Sequence, residues 1–72
     1  MRLKMKRPDA LVFVLCRAGR GMSTEQIAAV INNERLHIRL DGNPVSGKQV
    51  YAVISRSPAI FVKDGGLIRL IM

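Results

Sequence analysis

Residues 45–70, VSGKQVYAVISRSPAIFVKDGGLIRL, hold a helix signal that is followed directly by a β-hairpin signal. Ser46 and Gln49 have the spacing of a helix capping box. The apolar residues after them recur at the spacing of one buried helix face: Val50, Val53 and Ile54. Because Pro58 is disfavoured inside a helix, the sequence predicts a helix over residues 46–57.

The spacing of the apolar residues changes after Pro58. The runs AIFVK (59–63) and LIRLI (67–71) are short, apolar and rich in β-branched residues, as strands are. An Asp-Gly-Gly tripeptide joins them, and both Asp-Gly and Gly-Gly are strong hairpin signals. The sequence therefore predicts a hairpin that pairs 59–63 with 67–71, with the exact turn residues left open.

Two further helices precede this region. Pro8 suits the first turn of a helix over residues 8–18, because a missing N–H costs no intrahelical hydrogen bond there. Ser23 and Gln26 repeat the capping-box spacing, which predicts a second helix over residues 24–33. The order helix, helix, helix, hairpin is that of an α+β winged helix-turn-helix fold.

The 72 residues predict one domain, with a basic arm over 1–7, a helical part over 8–58 and a wing hairpin over 59–72. The link Gly21–Met22 is expected to add a short third strand. The expected core consists of Leu11, Val12, Leu15, Ile27, Ile31, Val50, Val53, Ile54, Phe61 and Leu70. Three polar residues of the second helix are expected to point outward: Glu25, Asn32 and Arg35. Cys16 is expected to be a buried, reduced thiol.

The chain is strongly basic. Twelve Lys and Arg residues against five Asp and Glu residues give a formal net charge of +7. This excess favours an acidic partner, most commonly nucleic acid, although an anionic membrane surface would also satisfy it. The apolar run Ala10–Cys16 is far shorter than the roughly 18 residues of a membrane span. It is therefore expected to be a core helix.

No constellation for catalysis or metal binding is recognisable in the sequence. The single cysteine excludes an internal disulfide framework and a zinc knuckle. His37 has no second histidine or cysteine near it in the sequence, and the five carboxylates form no acid–base pair at a known spacing. We therefore expect the domain not to be an enzyme by itself and to hold neither a cofactor nor a metal.

Three segments together resemble the HARE-type winged helix: MSTEQIAAVIN (22–32), VSGKQVYAVI (45–54) and AIFVKDGGLIRL (59–70). The resemblance covers roughly residues 10–70 and consists mostly of core pattern. It implies the winged-helix fold and a role in DNA binding or in sensing DNA modification. Such modules occur on restriction endonucleases, chromatin proteins and transcription components. The family often has Thr-Pro before the third helix, where this chain has NPVS at 43–46.

The third helix carries the candidate base contacts. Lys48 and Gln49 fall in its first turn, the part of a recognition helix that commonly meets base edges. Gln can pair with adenine, and Lys can reach the acceptors of guanine. Ser46 and the free N–H groups of the helix start are suited to a phosphate. The alternative is that Ser46 and Gln49 cap each other while Lys48 is only solvated.

Further candidates surround this helix. Tyr51 either hydrogen-bonds a phosphate or packs its ring on the loop 37–40, which is the preferred alternative for an aromatic residue here. Arg56 either contacts phosphate or complements the helix dipole. The remaining candidates lie on the third helix, the wing and the arm: Ser55, Lys63, Arg69, Arg2, Lys4, Lys6 and Arg7. The arm is expected along the phosphate backbone or in a minor groove, with an edge strand or a frayed tail as alternatives.

These observations predict an intracellular domain, cytoplasmic or nucleoid-associated, that binds double-stranded DNA. It would act as a targeting or sensing module of a larger restriction-modification or regulatory protein. A duplex RNA backbone attracts the same charge. The alternative function is a winged helix that docks a partner protein, in which case the charge contributes only solubility.

Overall fold

The computed structural model describes residues 6–39 and 41–71, and these form three helices followed by an antiparallel hairpin. The elements are α1 (Arg7–Ala18), α2 (Thr24–Glu34), α3 (Gly47–Arg56), β1 (Phe61–Asp64) and β2 (Leu67–Leu70). The predicted winged helix-turn-helix class of α+β fold is confirmed, and each helix end lies within one residue of its prediction. Arg2 and Lys4 of the predicted arm lie outside the described residues.

The hairpin turn, whose residues the sequence analysis left open, is a two-residue turn. Asp64 pairs with Leu67, so the turn consists of Gly65 and Gly66 alone, with φ angles of 59° and 83°. Two successive positive φ angles define a turn whose twist matches the twist of the flanking strands. Residues 67–71 were predicted to pair with 59–63, but each pairs with a residue one position further along the first strand. The predicted pairing was therefore wrong by one residue.

The expected third strand is present as a single bridge between the α1–α2 link and the hairpin. Met22 and Ile68 exchange two backbone hydrogen bonds, of 3.1 and 2.6 Å. Gly21 permits this approach, because a Cβ at that position would lie 3.1 Å from the side chains of both Leu67 and Arg69. The hairpin is thereby attached to the helical part at its second strand.

The core is one cluster of buried apolar side chains from all three helices, the linking segments and the hairpin. Most of the expected members are buried, but Val12 and Leu70 are only half-buried. Six residues outside the expected core list are also buried: Ala10, Val14, Met22, Ala28, Val45 and Ile68. The prediction for Cys16 was wrong, because its side chain is exposed.

The error at Cys16 comes from the register of α1. The helix buries Ala10, Leu11, Val14 and Leu15, a stripe that leaves Cys16 on the solvent side. Every residue from 10 to 16 is apolar, so helical spacing alone does not select one face of this helix. In the described part of the chain, no helix is long and apolar enough to cross a membrane.

Candidate nucleic-acid interface

The entry to α3 is fixed by a side chain that the sequence analysis placed in solvent. The amide of Asn32 donates from Nδ2 to the carbonyl oxygen of Val45, and its Oδ1 accepts from the Val45 N–H, both at 2.8 Å. The outward placement of Asn32 was therefore wrong. An isolated Asn in a helix gives no sequence signal for such a contact, since its partner is the backbone of a loop 13 residues away.

The first turn of α3 is closed by the predicted capping box. Ser46 Oγ accepts from the Gln49 N–H at 3.3 Å, and Gln49 Oε1 accepts from the Ser46 N–H at 3.1 Å. The same Oε1 also accepts from Arg39 Nη1 at 3.3 Å. The alternative in which Ser46 and Gln49 cap each other is thus present in the structure, and the acceptor atom of Gln49 is already engaged.

Arg39 also stabilises the start of α3, although the sequence analysis did not name it as a candidate. Its Nη2 lies 2.7 Å from Asp41 Oδ2, while its Nη1 donates to the carbonyl of Pro44 and to Gln49. The pKa of Asp41 is lowered, first by the hydrogen bond from the Asn43 N–H and then by the charge of Arg39. These contacts order the loop that leads into α3.

The solvent face of α3 is exposed along the helix and carries polar and basic side chains. Val50, Val53 and Ile54 hold the opposite face in the core. The exposed residues recur at helical spacing: Lys48, Tyr51, Ala52, Ser55 and Arg56. Two adjacent elements, the hairpin and the start of α1, border this face.

The hairpin borders it through Lys63. The Nζ of Lys63 lies 4.9 Å from the ring centroid of Tyr51, which is a cation–π arrangement. Tyr51 is 48% exposed. The ring thus lies beside Lys63 of the wing, whereas the preferred prediction of a Tyr51 ring packed on the loop 37–40 involves Leu40, which lies outside the described residues, and it stays a prediction. Lys63 lies two residues after the buried Phe61 on the same strand, so its side chain is on the same side of the sheet.

The start of α1 borders the other flank. A groove of about 400 Å³ is lined by Lys6, Arg7, Pro8, His37, Ala52, Val53, Arg56 and Ser57. Of the predicted arm, Lys6 and Arg7 are thus brought beside the C-terminal half of α3. Arg7 is the first residue of α1 itself.

Arg69 is not brought to this surface. Strand alternation turns it, with Val62, to the opposite side of the hairpin from Lys63. Its Nη1 lies 3.6 Å from Asp64 Oδ2, and both side chains are exposed. An exposed pair of this length is weak. Because of this placement, Arg69 lies on the other side of the hairpin from the predicted contact Lys63.

Three of the five acidic residues pair with arginines outside α3, although the Arg39–Asp41 pair lies at the loop that leads into α3 and Glu25 lies close to Gly47. The three ion pairs of the described residues are Arg17–Glu34, Arg39–Asp41 and Arg69–Asp64. Ten Lys and Arg residues lie in the described ranges, so seven remain outside these pairs. Five of the seven lie on α3 or border it: Lys6, Arg7, Lys48, Arg56 and Lys63.

No protein-family model matches this chain, and searches among curated proteins and solved structures likewise find no match. The resemblance to the HARE-type winged helix therefore stays a prediction. Within residues 6–39 and 41–71, no three His, Cys, Asp or Glu side chains come together as a potential metal site.

Proposed function

We propose that the chain is a DNA-binding domain that places the exposed face of α3 in the major groove of a duplex. The observation that carries the proposal is the distribution of charge. Five cations outside the ion pairs surround a capped helix whose exposed face holds no acidic residue. A duplex attracts such a surface through counterion release, and a helix start of this kind fits the major groove.

Within this surface we assign separate roles to the helix and its borders. Lys48 lies in the first turn of α3 and is exposed, so it is the residue suited to a guanine edge. Gln49 stabilises the helix start, because its acceptor oxygen already receives two hydrogen bonds. Lys63 on the hairpin and Arg56 at the helix end are suited to phosphates on either side.

Lys48→Ala tests the proposal against a matched control, Arg20→Ala, which removes another exposed charge, from the α1–α2 link. Binding of labelled duplexes of different sequence is followed by fluorescence anisotropy. We expect Lys48→Ala to reduce discrimination between a preferred and a non-preferred duplex by about 1–3 kcal/mol. Arg20→Ala should weaken all duplexes alike and only slightly.

Chemical shifts of the backbone amides give an independent measurement on the unmodified chain. Duplex DNA should shift the amides of residues 46–56 and of the hairpin turn. Shifts confined to the solvent side of α1 and α2, or no binding at low salt to any duplex, would refute the proposal.

The cellular setting and the larger protein that would carry this domain belong to the same proposal. We infer an intracellular setting, with the domain serving as a targeting or sensing module of a restriction-modification or regulatory protein. The resemblance to HARE-type domains supports this context, and the absence of an active-site constellation in the sequence agrees with it. A duplex RNA added as competitor to the same assay distinguishes the two nucleic acids.

A second candidate function is the docking of a partner protein, and one feature favours it. The hairpin exposes four large apolar side chains, each 41–53% accessible: Ile60, Val62, Leu67 and Ile71. Exposed apolar residues on one element are typical of interaction surfaces. Val62→Ser with Leu67→Ser would abolish this function and leave duplex binding unchanged, whereas Lys48→Ala would have the opposite effect.

A further inference from the structure

The groove between the start of α1 and the end of α3 has the composition of an anion site. Three cationic side chains line it, from Lys6, Arg7 and Arg56, together with Ser57 and His37. The remaining lining residues are Pro8, Ala52 and Val53. A volume of about 400 Å³ is large enough for a phosphate group with its ester substituents.

No acidic residue is among the described residues that line this groove. The neighbouring groove, which shares Arg7 and His37, contains Asp41, but that carboxylate is paired with Arg39. Another Arg-lined cleft, between α1 and β2, holds Arg20 and Arg69, and Arg69 is close to Asp64. The α1–α3 groove thus brings three cations together with no carboxylate in its described lining, although Asp9 follows Pro8 in the first turn of α1.

The backbone of α1 adds to the positive electrostatic potential of the groove. Lys6 is the N-cap residue of α1, and no side chain caps the helix there. The positive end of the helix dipole therefore lies at the groove, although Pro8 has no N–H and the Asp9 carboxylate in the first turn offsets part of this charge. Arginine side chains bind phosphate oxygens in a bidentate manner, so Arg7 and Arg56 supply the directional contacts.

We propose that this groove binds one phosphate group of the DNA backbone and thereby sets the position of α3 along the duplex. The inference rests on the proposed function for the identity of the ligand, but the anion site itself is testable without DNA. Arg7, Arg56 and Lys6 hold the phosphate oxygens, and the Ser57 hydroxyl is placed to donate to the same group.

The first experiment titrates the full chain with inorganic phosphate and follows backbone amides and Arg side-chain N–H signals by NMR. Sodium chloride at equal ionic strength is the control. We expect saturable shifts at Arg7, Ala52, Arg56 and Ser57, lost in Arg56→Gln and retained in Arg56→Lys. Arg20→Gln is the matched variant and should leave the shifts intact. Equal shifts with chloride, or shifts centred on Arg20 and Arg69, would overturn the proposal.

The second experiment repeats the comparison with duplex DNA. Losing one phosphate contact should lower the slope of log K against log salt by about one in Arg56→Gln, and Arg20→Gln should leave the slope close to wild type. Thermal melting of each variant verifies that it is folded. If the duplex binds but Arg56→Gln equals Arg20→Gln, the groove assignment fails and the DNA-binding function stands. If phosphate binds in the groove but no duplex binds, the site stands and the DNA-binding function fails.

Discussion

Asn32 shows how one side chain determines where α3 begins. Its two hydrogen bonds to Val45 satisfy the backbone of a buried loop residue, which is 4% exposed. Val45 is followed by the N-cap Ser46, so the anchor and the cap act on consecutive residues. A buried N–H or carbonyl that lost such a partner would be costly, because water cannot fully replace it.

We expect Asn32→Ala to lower the free energy of unfolding by about 1–3 kcal/mol, since both backbone groups of Val45 lose their partner. Asn33→Ala is the matched control, because Asn33 is its exposed neighbour on α2. That control should change stability by no more than about 0.5 kcal/mol. Urea unfolding followed by circular dichroism measures both. Equal effects of the two substitutions would show that the Val45 anchor contributes nothing.

At the scale of elements, local signals were sufficient to predict the secondary structure. The two capping boxes, Pro58 and the glycine turn placed three helices and a hairpin, because each of these signals acts within a few residues. These signals did not show which face of α1 is buried or which residues of the two hairpin strands pair. Both depend on contacts between elements distant in sequence, such as the bridge of Met22 to Ile68.

Ile68 is the clearest case of a core residue set by that register. Its side chain is fully buried, whereas the adjacent Leu67 is 43% exposed. We expect Ile68→Ala to destabilise the fold by about 2–5 kcal/mol, the usual range for a large aliphatic side chain in a core. Leu67→Ala should cost clearly less. Thermal unfolding of the two variants measures both effects. If Leu67→Ala destabilised the fold more than Ile68→Ala, Leu67 rather than Ile68 would be the buried residue of the strand.

The ends of α1 and α2 are joined by Arg17 and Glu34. Arg17 donates two hydrogen bonds to the carboxylate, at 2.7 and 2.5 Å, and its guanidinium lies 5.1 Å from the Phe13 ring centroid. These hydrogen bonds lower the pKa of Glu34 below its ordinary value of 4.5. A carboxyl group with a lowered pKa in the folded state stabilises the fold above its unfolded pKa. That contribution is lost as the pH falls through the folded-state value.

We therefore expect the melting temperature of the wild type to fall more steeply below pH 4.5 than that of Glu34→Gln, which has no such group to protonate. NMR titration of the Glu34 carboxyl carbon should show a pKa that rises in Arg17→Gln. Because the pair is exposed, the stability effect should be small and reduced by salt. An unchanged Glu34 pKa in Arg17→Gln would contradict the assignment of Arg17 as the cause.

On the scale of the whole molecule, the arrangement of charge matters more than its total. The sequence determines the net charge of +7, but it does not determine which arginines are neutralised. Three of the five carboxylates pair with Arg17, Arg39 and Arg69, and none of these arginines lies on α3. Arg69 shows what the sequence does not reveal, because only the hairpin register places its side chain on the opposite side from Lys63.

If the cations around α3 contact phosphates, the affinity for a duplex must depend steeply on salt. Neutralising four to six phosphates gives a slope of log K against log salt of about −4 to −5. Replacing Lys63 with Gln should reduce the slope by about one and weaken all sequences alike. Arg35→Gln, an exposed change at the C-cap of α2, should leave the slope near its original value. The measurement is a duplex titration at several salt concentrations with melting curves for each variant. If Lys63→Gln and Arg35→Gln flattened the slope equally, the attraction would come from net charge, and the arrangement of cations around α3 would have no special role.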